Sequence, residues 1–306
     1  MNLDFSSMRV LLVGDFMIDH YIMGISNRMS PEAPVPVVIP EQEYSIPGGA
    51  GNVAMNLRAM GAHVTCVGVV GNDLWGKELI SILNNEGINV DNMAIIDNHP
   101  TTLKKRIYAN GTQVARIDQE KPFSDTYPFV NFSYDNFDVI ILSDYDKGVF
   151  HRPWFIKPEN SNVILDPKSL FKHLYMNTNI ITPNLNELNM ISGNKIDDNK
   201  SIVNACINLI KDFNLDYIVA KKGDQGMTIV GKDNLVKHIA AHSVESPDVT
   251  GAGDTVIALL SLMYTKTQDI ELSAKIANAA AALVVGEPGT ATISIDKIQK
   301  FIEKNK

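Results

Sequence analysis

Apolar and polar positions along the chain alternate between two periods. Residues 8 to 15, MRVLLVGD, form a short β-branched apolar run ending in Gly and Asp, the pattern of a buried strand that delivers polar groups at its C-terminal edge. Between residues 25 and 40 lie Pro31, Pro34, Pro36 and Pro40, which exclude a helix and a central strand and predict an edge ribbon or flap. After PGGAGN (47 to 52), NVAMNLRAMGA has helical spacing, with Asn52 able to cap the helix and Gly61 able to end it. HVTCVGVVG (63 to 71) reads as a strand and LWGKELISILNNEG (74 to 87) as an amphipathic helix stopped by Gly87.

Residues 101 to 118, TTLKKRIYANGTQVARID, are two alternating runs around Asn110-Gly111, a strong hairpin signal. FDVIILSDY (137 to 145), NVILDPK (162 to 168), NIITPN (179 to 184) and YIVAKKG (217 to 223) are apolar strands ending in polar residues, most followed by helical stretches. DVTGAGD (248 to 254) then leads into the apolar helix TVIALLSLMY, and KIANAAAALVVG (275 to 286) is an Ala-rich helix. The repetition predicts an α/β fold: a mostly parallel sheet with helices on both faces, binding ligands at the carboxyl ends of its strands. With no linker or repeat, the expectation is one domain over 1–306 with flap segments at about 20–45 and 99–120.

Composition narrows the function classes. At 306 residues, 45% hydrophobic and 20% charged, the chain can bury a large core. A formal net charge of -8 and no Lys/Arg run argue against a nucleic-acid partner, while a small anionic ligand needs only a few local cations. Cys66 and Cys206, each among apolar residues, read as buried thiols rather than a disulfide. No apolar stretch of the roughly 18 residues a membrane span requires is present, and MNLDFSSMRV lacks a signal-peptide core, so no membrane partner and a cytoplasmic location are expected.

The chemistry concentrates in two Gly-rich segments. Gly251, Ala252 and Gly253 run into a helix opened by Asp254; small residues there leave backbone N–H groups open to an anion, aided by the helix dipole. Asp254 would lie beside a phosphoryl group held in that anion hole, where a base accepting a hydroxyl proton belongs; alternatively the segment is a turn with an Asp cap. In PGGAGN, Gly49, Gly51 and Ala54 satisfy a dinucleotide fingerprint with Asp73 downstream, so an oxidoreductase is the rival reading. Against it, EYSIP is short and polar and ends in Pro47, so no strand is expected to run into the first Gly. No Walker A pattern is present.

PGGAGNVAMNLRAMGA, then an N-x-x-E motif at Asn184 to Glu187, a K-G-D-Q-G turn at Lys222 to Gly226, and finally DVTGAGDTVIAL are the residues by which this chain resembles the ribokinase-like (PfkB) carbohydrate kinases over nearly its whole length. The resemblance implies a ribokinase-like fold with a β-sheet lid, and ATP with Mg²⁺ as cofactors. Asp254 matches the catalytic base; Gly251, Ala252 and Gly253 match the anion hole; Asp19, Gly48, Gly49 and Asn52 match positions that grip sugar hydroxyls. Asn184 and Glu187 match the motif organising Mg²⁺ through water, although a simple capping box explains them too. Lys222, Gly223, Gly226 and Asn278 correspond to nucleotide-site positions, and Asp248 and Thr250 to a monovalent-cation site for K⁺. The chain departs from many relatives in having Lys221 or Lys222 where they have Thr or Ser before Gly223.

Residues 26 to 38, 101 to 118 and 142 to 149 are closely similar to a subfamily, the D-glycero-β-D-manno-heptose 7-phosphate 1-kinases of lipopolysaccharide precursor biosynthesis. That likeness implies phosphorylation at C1 to heptose 1,7-bisphosphate. A phosphorylated sugar needs cations at the far end of its pocket, and Arg28, Lys104, Arg106, Arg116 and Lys147 lie in or beside these segments. Residues 104, 106 and 116 can face one side of a hairpin, toward the pocket or toward solvent. A fructose- or ribose-type kinase is the runner-up, and a non-catalytic sugar-phosphate binder a third reading. Because bifunctional members carry a following nucleotidyltransferase domain and this sequence stops at Lys306, adenylyl transfer is expected from a separate protein. Pairing of flaps in a homodimer is expected from their exposed edges.

Overall fold

In the computed structural model, which describes residues 3–123, 134–242, 251–285 and 292–304, the first apolar run is β1 (Arg9–Gly14). Its side chains divide by alternation: Val10 and Leu12 join one hydrophobic cluster, Leu11 and Val13 the other. Each fully buried Val or Leu of this kind contributes about 1.5–3 kcal/mol.

The chain continues through β2 (Phe16–Ile25), β3 (Ile39–Gly49), α1 (Ala50–Ala59), β4 (His63–Gly71), α2 (Leu74–Asn85) and β5 (Asn89–Ile96). The hairpin β6 (Thr102–Ala109) and β7 (Thr112–Gln119) follows, then β8 (Val139–Ser143), β9 (Val163–Asp166), α3 (Lys172–Tyr175), β10 (Ile180–Ile181), α4 (Leu185–Ser192), α5 (Asn199–Phe213) and β11 (Tyr217–Lys221). The last elements are β12 (Met227–Gly231), β13 (Val236–Ile239), α6 (Ala252–Thr267), α7 (Ile270–Val285) and α8 (Ile295–Lys304).

Among the described residues these strands form a nine-stranded sheet, β13-β12-β11-β10-β9-β8-β1-β4-β5, and a four-stranded sheet, β3-β2-β6-β7. The large sheet is parallel from β5 to β11 and turns antiparallel at β12 and β13. Alternation in β8, β9 and β11 repeats that of β1, so α1, α2, α6, α7 and α8 pack on one face and α3, α4 and α5 on the other. This is the expected ribokinase-like layering. It leaves the strand ends at Asp15, Asp144, Asp166, Thr182 and Lys221 along one carboxyl edge.

The small sheet contains the hairpin where the sequence predicts it. Asn110 (φ 51°) and Gly111 (φ 79°) both take positive φ between the paired Ala109 and Thr112, as a two-residue hairpin turn requires. Two local expectations are corrected. A strand does run into Gly48 and Gly49: β3 pairs antiparallel with β2, and its prolines are tolerated because it is an edge strand, with Pro47 opposite Ile18 and Pro40 beside a register shift. What separates this segment from a dinucleotide-binding unit is therefore that its strand belongs to the small sheet rather than the parallel one. Second, Asn52 does not cap α1; Gly49 (φ 56°) stands at the cap and Asn52 lies inside the first turn, freeing its amide for another partner.

Candidate active site

The first turn of α6 packs beside the first turns of α1, joined by Asn52 to Asp254 and Asn56 to Thr255. α6 begins at Gly251 in the left-handed region (φ 79°) and has no side-chain cap, so Asp254 is not a cap but a first-turn residue. The N–H groups of Ala252, Gly253 and Asp254 have no intrahelical acceptor at such a terminus. A Cβ placed on Gly253 would meet only the Lys221 Nζ, 3.6 Å away. That opening, with unpaired donors and the positive end of a 16-residue helix, fits a phosphoryl group.

Asp254 is buried, and both of its oxygens accept hydrogen bonds: Oδ2 from the Asn52 amide at 2.7 Å and Oδ1 from the Tyr145 hydroxyl at 2.5 Å. The Asn52 amide is oriented in turn, because Asn56 Nδ2 donates to Asn52 Oδ1 at 3.3 Å and to its carbonyl at 2.9 Å, while Thr255 Oγ1 donates to Asn56 Oδ1 at 3.1 Å. Burial pushes the Asp254 carboxyl up to about 6, against the lowering effect of Tyr145 and Asn52. Asp166 raises it further and Lys221 lowers it. Tyr145, half-buried, is driven well above the ordinary phenol value by desolvation and by Asp254, Asp166 and Asp19.

Tyr145 is held by its loop. The buried Asp15 carboxylate accepts backbone N–H bonds from Tyr145 (2.8 Å), Lys147 (3.1 Å) and Val149 (3.1 Å). The neighbouring Asp144 accepts from Asp146, Lys168 and Ser169. Desolvation and the Asp144 charge raise the Asp15 carboxyl to about 6 despite its three donors.

Asp19 stands on β2, buried, with its Oδ2 only 2.3 Å from where a Cβ on Gly48 of the neighbouring strand would lie, so glycine alone fits at 48. Arg106 Nη1 donates to Asp19 Oδ1 at 2.5 Å while its guanidinium rests 5.3 Å above the Tyr21 ring. Register places Lys104 opposite Asp118 and Arg106 opposite Arg116, so these residues share one face of the small sheet. Lys104 is 3.6 Å and Arg116 2.9 Å from Asp118, and Lys147 pairs with Glu120. Each of these four cations thus has an acidic partner. Arg28 is exposed in the 26–38 loop and is not drawn into the group by any described contact.

The nucleotide-side expectations are met unevenly. Asn184 and Glu187 form a complete capping box on α4, at 2.9 and 2.7 Å, and Glu187 is also buried near Lys221 and Asp166. Lys222, named from sequence, turns away and donates to Asn199 Oδ1 at 3.2 Å. Lys221 is the cation that faces the site: its Nζ donates to Asp166 Oδ1 at 2.5 Å. Gly223 (φ 61°) and Gly226 (φ 85°) shape the following turn, and Asn278 donates to the Ala240 carbonyl at 2.8 Å. Asp248 and Thr250 lie outside the described residues. Sequence reasoning missed Tyr145, Asp166 and Asp15; their one signal is position, at the end of an apolar strand.

Comparison with known proteins places this arrangement. The chain is 35% identical over 308 residues to the bifunctional protein HldE of Vibrio vulnificus strain YJ016, covering 98% of this chain and 64% of that protein. It is 38% identical over 308 residues to the HldE of Sulfurimonas denitrificans, covering 96% and 64%. The chain therefore spans about 64% of the length of these curated relatives. Among solved structures, Arabidopsis thaliana ribokinase with ribose and ATP matches with a TM-score of 0.76 at 20% identity, covering 97% of this chain and 99% of that one. Ribokinase from Thermotoga maritima matches with a TM-score of 0.75 at 20% identity over the same shares. The family model described as pfkB family carbohydrate kinase matches residues 8–298, and with so little of the sequence outside that match, the chain belongs to the pfkB family of carbohydrate kinases.

Proposed function

We propose that this chain uses ATP to phosphorylate the C1 hydroxyl of D-glycero-β-D-manno-heptose 7-phosphate, giving heptose 1,7-bisphosphate for ADP-heptose and lipopolysaccharide core precursors. One observation carries the reading: the buried Asp254 at an uncapped helix N-terminus is bonded to Tyr145, on which Asp19 of the small sheet also acts, and that sheet bears Arg106, Lys104 and Arg116 on the face of Asp19. The first half suits the transferring phosphoryl group, the second a sugar hydroxyl and a distant phosphate.

In this mechanism Asp19, Gly48, Gly49 and Asn52 hold the sugar hydroxyls. Asp254 takes the proton from the C1 hydroxyl, that oxygen attacks the γ-phosphorus in line as its bond to the β–γ bridging oxygen breaks and ADP leaves, and the N–H groups of Ala252 and Gly253 stabilise the charge. The small sheet covers the pocket and excludes water. Glu187 and Asp166 would hold Mg²⁺ through water rather than as a direct cage, and the ion would supply charge neutralisation there. Asp248 and Thr250 remain the proposed K⁺ site. A homodimer through the small sheet belongs to this reading, since all of β7 is exposed along an open edge with Ile117 54% accessible; light scattering tests it, and a monomer at working concentration rejects it.

A second reading has its own support. Because Arg106, Lys104, Arg116 and Lys147 are each paired with a carboxylate, the pocket could instead take an unphosphorylated sugar such as fructose or ribose. An ATP-consumption assay over heptose 7-phosphate, heptose, fructose 6-phosphate and ribose decides. Strong preference for heptose 7-phosphate supports the first reading, turnover of unphosphorylated sugars the second, and no turnover with any of them counts against both.

A further inference from the structure

Lys221 ends β11, and its side chain is 15% exposed at the mouth of the α6 terminus. Its Nζ donates to Asp166 Oδ1 at 2.5 Å as an ion pair, and Glu187 and Asp254 lie close enough to act on the same charge. These four groups sum to an excess of negative charge in a place whose helix dipole invites an anion. The ammonium is the one member able to receive that anion. Its Nζ, 3.6 Å from a Cβ built on Gly253, stands against the first turn of α6, where a phosphoryl group would sit. Lys168 also acts on Glu187 but is exposed, and Lys222 is committed to Asn199.

We infer that Lys221 is a catalytic residue: its ammonium passes from Asp166 to the γ-phosphate of ATP and stays with that phosphoryl group as it moves to the acceptor oxygen. The inference rests on the reading of the α6 terminus as the phosphoryl site. A lysine is suited to this task because it is a compact point charge on a flexible stem, able to exchange one anionic partner for another without a fixed docking plane. The opposing account makes the Lys221–Asp166 pair a tie between β11 and β9 across β10, which would matter to stability alone.

The two accounts differ in what happens at the third phosphate. Binding of ADP and of the non-hydrolysable ATP analogue AMP-PNP to the full chain, measured by calorimetry without any sugar, separates them. For Lys221→Met, AMP-PNP affinity is expected to fall about 10- to 100-fold, the worth of a charge-assisted hydrogen bond, with ADP affinity changed far less. Lys221→Arg should restore much of the AMP-PNP affinity, and Lys222→Met should leave the ratio of the two affinities unchanged. If Lys221→Met folds poorly, Lys221→Gln, which keeps a donor for Asp166, gives the same comparison. Equal loss of both nucleotides, or a lower melting temperature with no change in the ratio, overturns the inference while leaving the proposed function standing. Wild-type protein that binds neither nucleotide overturns both.

Discussion

The Tyr145 hydroxyl donates to Asp254 Oδ1 at 2.5 Å, joining two residues 109 positions apart. With Asn52 on the other oxygen, the carboxylate has a fixed plane and keeps lone pairs for a third partner, as a proton acceptor needs. Tyr145 also lowers the carboxyl against the rise caused by burial, so it bears on the pH at which the proposed base is available.

The first consequence is a pH profile. With Asp254 raised to about 6, kcat/KM should fall as the pH drops through about 6, because the protonated carboxyl accepts no proton. Tyr145→Phe removes a lowering contribution, so the acidic limb should move toward neutrality and the loss of rate should be larger at pH 6 than at pH 8. A profile that keeps its limb in the variant would detach Tyr145 from the base.

Asp254→Asn should lower kcat by about 10²–10⁴-fold at pH 8, the range for a positioned base. The same change should alter stability in a pH-dependent way. Since the folded carboxyl sits above the unfolded value of 3.8, it binds more protons folded than unfolded between the two values, and it costs stability as the pH rises through that window. Relative to wild type, the variant should gain about 2 kcal/mol between pH 4 and pH 8. Urea unfolding at the two pH values measures it; a constant difference between the proteins would contradict the raised carboxyl.

Arg106→Gln should raise KM for heptose 7-phosphate roughly 10- to 100-fold if the guanidinium takes the distant phosphate. Steady-state kinetics on heptose 7-phosphate and heptose separate the roles. A loss confined to the phosphorylated sugar assigns Arg106 to the phosphate; equal losses assign it to holding Asp19, its partner at 2.5 Å.

Gly14→Ala tests the base of the site. A Cβ there would lie 2.4 Å from the Ser143 carbonyl and 2.9 Å from the Ala50 side chain, so β1 and β8 would be forced apart. Overpacking of this kind costs about 1–3 kcal/mol, to be read as a lower melting temperature. An unchanged melting temperature would mean the strands yield more easily than their packing implies.

Much of the scaffold was legible because its signals are local. β1, β4, β8 and the Asn110-Gly111 hairpin each announce themselves within ten residues, by alternation or by turn chemistry. β3 was not, since it is polar and carries Pro40 and Pro47, and it is a strand only because β2 supplies a partner for its open edge. The site divides in the same way. Asp254 and Gly251 to Gly253 lie in one segment whose chemistry can be read directly, and the sequence names them with Asn52 and Asp19. Tyr145, Asp166 and Lys221 acquire their meaning from partners 109 and 55 positions away, and no local pattern separates Lys221 from Lys222 until the fold shows which of them reaches Asp166 and the start of α6.

Trp75 on α2 is wedged against β2 and β6, its ring 4.9 Å from His20 and 5.6 Å from the Lys105 ammonium. The small sheet therefore rests on an indole rooted in the body of the protein. With only two tryptophans in the chain, Trp154→Phe leaves a single emitter at that seam. Any tilt of the small sheet when sugar arrives would change the quenching of that emitter by His20 and Lys105, so the protein carries a built-in optical gauge of the proposed covering, readable without a label.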